Sequence, residues 1–385
     1  MDIEATIDAK IRPRLIEILG RQTANALLTK ATLAYVSTDG TEGERIGAFI
    51  DAIGSDERIL GEWGEEILAT HTQEWISLLK PEARSEQEEA SARILDGRAM
   101  AEEVRQEIVT EVEAFKARYG TVPTIAVVRA GDDPASVSYA KMIKRSFENA
   151  GMSFLLRALP PSVDDQDVID VVCELNADSA VSGIMVQEPL PKGIDDIAIK
   201  AAIAPEKDAD GVNPINAGRL AQAAPVGRTS AVKDYLVPAT PLGGLEILKR
   251  AGIEMDGARA VVVGRSNIVG RPMTFLLMQH HATVSMCHSH TDPLGPVTRQ
   301  AEILCVAVGV AELIKADMVR PGAVIIDFGF NKKGGKWVGD VDFEGVKKVA
   351  GAITPVPGGT GSMTNVMLMR NVLQAAERRR EKRDM

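Results

Sequence analysis

Ala260-Val261-Val262-Val263-Gly264-Arg265-Ser266-Asn267-Ile268-Val269-Gly270-Arg271-Pro272 is the stretch that decides the fold. The apolar, mostly β-branched run reads as a buried strand, and the glycine that ends it opens a short turn into a helix. A phosphate held at such a junction needs a tight turn, unpaired backbone N–H groups and the positive end of a helix dipole. Gly264 suits the turn and Gly270 suits close packing of the helix on the strand. Ser266 stands where the usual fingerprint has its middle glycine, so by pattern alone a plain structural turn competes with a dinucleotide site.

The next strand, Thr283–Cys287, helps to decide. Folds that select NAD carry an acidic residue at its end to hold the ribose hydroxyls. Here the end reads Cys287-His288-Ser289-His290, with no carboxylate before Asp292. Arg265, His288 and Ser289 offer donors to a 2′-phosphate instead, and the expected cofactor is NADP. Cys287, His288 and His290 lack the partners of a complete ligand set, so they read as cofactor-contacting or loop residues and no metal is expected.

Working outward, strands and helices alternate on both sides of this turn. Upstream come a helix over 97–117, a strand over 124–129, a helix over 134–150, a strand over 153–158, a helix over 165–176 and a strand over 183–186. Downstream, strands over 303–308 and 323–327 precede a last helix over 363–380. Alternation of this kind implies parallel sheets, and the fold class is α/β. Before residue 81 the pattern is helical only. Ile7, Ile11, Leu15, Ile18 and Leu19 recur at helical spacing despite Pro13. Thr41 and Glu44 form a candidate capping box ahead of Ile46, Phe49, Ile50 and Ile53. Gly54-Ser55-Asp56 breaks the chain before Leu60, Trp63, Ile67 and Leu68. The expected organisation is an all-α extension over 1–80, an apolar-poor linker over 81–92, a first α/β domain over 93–237 completed by the C-terminal helix 360–385, and a Rossmann-like domain over 238–359.

Composition narrows the function. The 385 residues are 45% apolar and 25% charged, enough for several domains with real cores. With 44 Lys plus Arg against 54 Asp plus Glu the net charge is −10, and aromatics are only 4%, which argues against a nucleic-acid binder. The basic run Arg378-Arg379-Arg380-Glu381-Lys382-Arg383 reads as a solvated helix end beside the negative pole of its dipole. The acidic start Met1-Asp2-Ile3-Glu4 predicts no secretory signal, and no apolar run is long enough to span a membrane. Cys173, Cys287 and Cys305 form neither a disulfide framework nor a paired metal motif. The expected location is the cytoplasm.

From Ile94-Leu95-Asp96-Gly97 to the last helix, roughly 290 residues, the chain resembles the methylenetetrahydrofolate dehydrogenase/cyclohydrolase family. The motifs that carry the likeness are Asp133-Pro134-Ala135-Ser136 with Tyr139, Gly183-Ile184-Met185-Val186-Gln187 leading to Pro189-Leu190-Pro191, Pro205-Glu206-Lys207-Asp208-Ala209-Asp210-Gly211, Gly264–Pro272, and Thr354-Pro355-Val356-Pro357-Gly358-Gly359. The resemblance implies two domains flanking a cleft, a homodimer, and a tetrahydrofolate derivative as substrate. It makes Asp210 the pterin-binding carboxylate, Tyr139 the aromatic on the aminobenzoyl ring and Gln187 the polar group near the reacting bridge. Pro357, Gly358 and Gly359 then fall on the substrate side. Gly264, Arg265, Ser266, Ile268, Gly270, His288, Ser289, Gly309 and Phe330 fall on the cofactor side.

One departure bears on the chemistry. The family's cyclohydrolase lysine lies four residues after the tyrosine, on the same helix face, and here that position is Ile143. At about 100° per residue, Lys141 and Lys144 point about 160° and 140° away from Tyr139. Water addition to a methenyl bridge needs proton transfer, which isoleucine cannot perform, so the expected activity is dehydrogenase alone. Glu188 stands where the family has Leu, Ser362 where it has Pro, and residues 225–236 form an insertion, all on the folate side. Two other readings remain: a bifunctional enzyme with a proton relay rebuilt on Glu188 or a lysine, and a non-catalytic folate- and NADP-binding protein. The extension over 1–80 shows no chemistry; it is a candidate docking module for an unknown protein, an oligomerisation element or a channelling device.

Overall fold

The computed structural model describes residues 7–39, 41–79, 91–227 and 234–384, and the chain divides into two compact units, Met1–Glu89 and Ala90–Met385. Most of the expected linker and the middle of the 225–236 insertion, 228–233, lie outside the described residues.

The first unit is helical. A π-helical turn, Ile7–Ile11, runs into helices Arg12–Leu19, Arg21–Ser37, Glu42–Gly54 and Glu57–Leu79. Pro13 does not interrupt the pattern, because it sits in the first turn of its helix, where a missing N–H leaves no bond unmade. The Thr41–Glu44 capping box is present: the Glu44 amide donates to Thr41 Oγ1 and the Thr41 amide to Glu44 Oε2 at 2.7 Å. Ile11, Leu15, Leu27, Phe49, Ile53 and Trp75 are buried together in a core of the unit's own. The side chain of Ile67 is outside the described set.

The second unit holds two parallel sheets. Its strands are β1 (Arg93–Ile94), β2 (Thr124–Ala130), β3 (Ser153–Leu159), β4 (Gly183–Val186), β5 (Arg259–Val263), β6 (Thr283–Cys287), β7 (Ile303–Val306), β8 (Val324–Asp327), β9 (Asn331–Lys333), β10 (Lys336–Val338) and β11 (Ala352–Ile353). One sheet has the order β3-β2-β4, the other β1-β11-β8-β7-β5-β6. Parallel strands covered on both faces need continuous apolar runs, and β2, β5 and β7 supply them.

Three differences from the sequence reading have physical causes. Arg93–Ile94, expected in the first α/β domain, pairs in parallel with Ala352–Ile353 and so extends the nucleotide-side sheet. A two-residue strand has no periodicity to show which sheet it joins. The antiparallel hairpin β9–β10 was not expected; Gly334 and Gly335, at φ 57° and 80°, make its turn. The last helix runs over Thr360–Asp384, longer than 363–380, and packs against helices Gly97–Tyr119 and Ala239–Arg250. Its basic run is not merely a solvated end. Arg378 donates to the Tyr235 carbonyl, Arg379 to the Val181 and Ser179 carbonyls, and Arg380 to Thr121 Oγ1. These guanidinium groups dock the helix end onto the β3-β2-β4 side, an arrangement that local sequence cannot reveal.

Candidate active site at the carboxyl ends of two parallel sheets

Helix Pro134–Asn149 follows β2 and presents its buried face through Ser136, Ala140, Ile143 and Phe147. Asp133 caps it by accepting from the Ser136 amide at 2.9 Å. Gln187 leaves β4 level with Val128, to whose carbonyl its amide donates. Its side chain is buried, and Nε2 donates to the Ser136 carbonyl at 2.7 Å. The other terminal atom, Oε1, is buried without a protein partner. An orphaned buried acceptor costs about 1–3 kcal/mol, the mark of a group kept for a ligand. Ile143 is fully buried in the hydrophobic core. Tyr139, one turn before it, is half-buried, and its phenol is pushed up to about 12 by burial and by the Asp210 carboxylate.

The turn carrying Asp210 is built by its neighbours in the motif. Lys207 Nζ donates to the carbonyls of Leu175, Asn176 and Asp178, capping helix Asp165–Ala177 with a cation. Asp208 is fully buried and accepts from the amides of Val212 and Asn213 and from Asn216 Nδ2. Gly211, at φ 67°, passes so close to Val237 and Pro238 that a Cβ would collide with their backbone. Asn371, from the last helix, donates through Nδ2 to both the Ala209 and Val237 carbonyls at 2.8 Å. Lys207 and Asp208 are thereby consumed by folding, and Asp210 is left for a ligand. Burial, then the carboxylates of Asp208 and Glu188, push Asp210 up to about 7, with the Lys200 ammonium pulling the other way.

On the nucleotide side, Gly264 adopts φ 126° with its α-carbon hard against the Ala307 backbone, and Gly270 packs equally close to the Gly264 carbonyl. No other residue fits either place. Ser266 Oγ accepts from the amides of Val269 and Gly270 at 3.1 and 3.3 Å, which leaves its own O–H to donate. Val263 pairs with Cys287 across β5 and β6, so Arg265, His288 and Ser289 emerge from neighbouring strands at one sheet end; Arg265 and Ser289 are exposed and His288 half-buried. Ile268 is half-buried beside them. Phe330 is exposed and stacked on Trp337 with ring centroids 4.2 Å apart.

Two carboxylates that sequence reasoning missed fix the surrounding loops. Asp327 accepts from the amides of Gly329, Asp340 and Val341, and Asp340 accepts from those of Val308 and Gly309 and from Asn331 Nδ2. Together they hold the loop of Gly309, the root of Phe330 and, through Thr354 and Thr360 hydroxyls on the Asp327 backbone, the Pro357-Gly358-Gly359 segment. Burial raises Asp327 to about 7 against the pull of these amides. The available signal was an aspartate ending an apolar strand. The Gly359 backbone leaves no room for a side chain on Gly97, Thr354 and Pro355 leave none on Gly359, and Pro357 is exposed. Among the described residues no cluster of three or more His, Cys, Asp or Glu could hold a metal, and no helix is long and apolar enough to cross a membrane.

Comparison with known proteins bears on the family. Residues 95–210 match the family model for the tetrahydrofolate dehydrogenase/cyclohydrolase catalytic domain, and residues 238–380 that for its NAD(P)-binding domain. The bifunctional protein FolD of Chloroflexus aurantiacus is 49% identical over 290 residues, covering 75% of this chain and 99% of the relative. The crystal structure of the bifunctional FolD methylenetetrahydrofolate dehydrogenase/cyclohydrolase from Campylobacter jejuni superimposes with a TM-score of 0.71 at 40% identity, over 75% of this chain and all of that one. A Trypanosoma brucei FolD, solved with NADP cofactor and an inhibitor, gives 0.69 at 34% identity, over 75% and 98% of the two chains. Matches of this extent settle the family: the chain belongs to the tetrahydrofolate dehydrogenase/cyclohydrolase family.

Proposed function

We propose that the protein oxidises 5,10-methylenetetrahydrofolate to 5,10-methenyltetrahydrofolate with NADP⁺ and has no cyclohydrolase activity. The observation that carries this reading is a site with Tyr139, Gln187 and Asp210 retained and a fully buried hydrocarbon, Ile143, at the proton-transfer position. The bound nicotinamide supplies the hydride acceptor. The chain's own residues have to orient the substrate, which is mainly a positioning task. Asp210 accepts from the donor edge of the pterin, Tyr139 supports the aminobenzoyl ring, and Gln187 Oε1 takes a donor near the bridge. NADP fits the turn at Gly264–Gly270, with Ser266 donating to phosphate and Arg265, His288 and Ser289 facing a 2′-phosphate without a competing carboxylate. Ile268, Gly309 and Phe330 flank the cofactor; Pro357, Gly358 and Gly359 line the substrate side.

Further features complete the reading. The reading keeps a first α/β domain over 93–237 with the last helix, and a Rossmann-like domain over 238–359; the split at Glu89 supports a separate helical extension. A homodimer is supported by the family and by the open edge strand β3, on which Leu156 is exposed. Three free cysteines suit a reducing compartment such as the cytoplasm. A bifunctional enzyme is the second reading, favoured by relatives named as bifunctional and by the ion pair of Glu188 with Lys200 beside Asp210. Purified protein incubated with methylenetetrahydrofolate and each nicotinamide cofactor decides between them. Equal formation of NADPH and methenyl product is expected, and absence of substrate-dependent NADPH would remove the dehydrogenase reading altogether.

A further inference from the structure

Lys200, on helix Asp196–Ala202, holds its Nζ 2.6 Å from Glu188 Oε1 and 2.7 Å from Asp196 Oδ2. Its side chain is only 16% exposed, whereas the two carboxylates are 48% and 52% exposed. An ammonium so enclosed persists only when paired. The pair is tied to the pterin side of the site by two routes. The Lys200 carbonyl accepts from Asn213 Nδ2, and the Asn213 amide donates to Asp208 on the turn that carries Asp210. Asp208 also forms a parallel bridge with Ile184 of β4, whose chain runs on through Gln187 to Glu188. Asp210 lies within electrostatic reach of both Glu188 and Lys200.

We propose that Lys200 is a positioning residue for the pterin carboxylate: its ammonium, fixed between Glu188 and Asp196, is the counter-charge that favours the ionised form of Asp210. The proposal rests on the reading of Asp210 as the pterin anchor. An aminopyrimidine edge offers two N–H donors, and only the ionised carboxylate can accept both. The groups that act on Asp210 are Asp208 on its own turn, Glu188 from β4, Lys200 from its helix and the neutral phenol of Tyr139. Asp208 is held by three donors and is a fixed background. Glu188 and Lys200 are the adjustable pair, of opposite sign. Without Lys200, Asp208, Asp210 and Glu188 form a carboxylate cluster in which ionisation of Asp210 is disfavoured.

The test is the pH profile of kcat/KM for methylenetetrahydrofolate in the full chain. Lys200→Met should move the acidic limb to higher pH by about one unit. At pH 7 this raises KM about fivefold while kcat at saturating substrate changes by less than about twofold. Alkaline pH should restore KM, and Lys200→Arg should keep the limb where it was. Glu188→Gln should move the limb the opposite way, to lower pH; this half-exposed position keeps the test available should Lys200→Met fail to fold. A merely structural ion pair would lower kcat and stability at every pH without moving the limb. Limbs that stay put, or that shift the same way in both variants, overturn the proposal while leaving the dehydrogenase reading intact. An Asp210→Asn variant with unchanged KM removes the pterin anchor and this proposal with it.

Discussion

The side-chain amide of Gln187 donates to the main-chain carbonyl of Ser136 at 2.7 Å, and its carbonyl oxygen is buried with no protein donor. Ser136 and Ile143 belong to the same buried helix face, two turns apart. The glutamine is thus locked in orientation at one end and open at the other, beside a helix face that carries the hydrocarbon Ile143 one turn beyond Tyr139. Methenyltetrahydrofolate should therefore accumulate during turnover and decay only at its spontaneous rate. A positioned proton-transfer group typically contributes about 10²–10⁴-fold, so decay of added methenyltetrahydrofolate with and without protein reads the difference. Saturable acceleration that disappears in Gln187→Ala would establish the bifunctional reading.

Asp210→Asn keeps one acceptor and puts a donor against the pterin's donor edge. The loss of substrate binding should be on the order of 2–5 kcal/mol, with NADP affinity unchanged in a titration of cofactor alone.

The same substitution has a signed effect on stability. Asp210 sits near 7 when folded against an ordinary 3.8, so between those values the folded protein holds a proton that the unfolded chain has released. This contribution weakens as pH rises through the window. Asp210→Asn, which cannot ionise, should gain in Tm relative to wild type on going from pH 5 to pH 8, by on the order of a few degrees. A difference that is constant with pH would show that the carboxyl is not perturbed in the folded state.

Asn371 spans the Ala209 and Val237 carbonyls with one amide group. Asn371→Leu leaves both buried carbonyls without a donor, at about 1–3 kcal/mol each, and should loosen the Asp210 turn. A lower Tm with a raised folate KM is expected; KM unchanged in a destabilised variant would confine Asn371 to packing.

NADP⁺ should be preferred over NAD⁺ in kcat/KM, and Arg265→Ala should narrow the preference chiefly by raising KM for NADP⁺. Equal efficiency with both cofactors in the wild type would mean that the ends of β5 and β6 do not read the 2′-phosphate.

Removal of residues 1–88 should leave a folded, active protein, because the unit from Ala90 onward has its own cores. Circular dichroism with the NADPH assay measures both properties. A well-folded but inactive truncation would assign the helical extension a part in the site.

The sequence by itself determined the two parallel sheets, the turn at Gly264–Gly270, and the helix that sets Ile143 one turn beyond Tyr139. Each of these follows from local periodicity, a glycine that backbone geometry requires, or the fixed pitch of a helix. Tertiary structure decided which residues would be spent on folding. Lys207 and Asp208 are as polar as Asp210, and only the carbonyls a distant helix brings to Lys207, and the donors the following turn folds back onto Asp208, show that Asp210 is the spare one. Asp327 and Asp340 meet across the nucleotide-side loops, Asn371 reaches back from the last helix, and Lys200 finds Glu188 from another element. Such pairings depend on long-range packing, and the polar groups of a sequence do not reveal which partners burial will bring within reach.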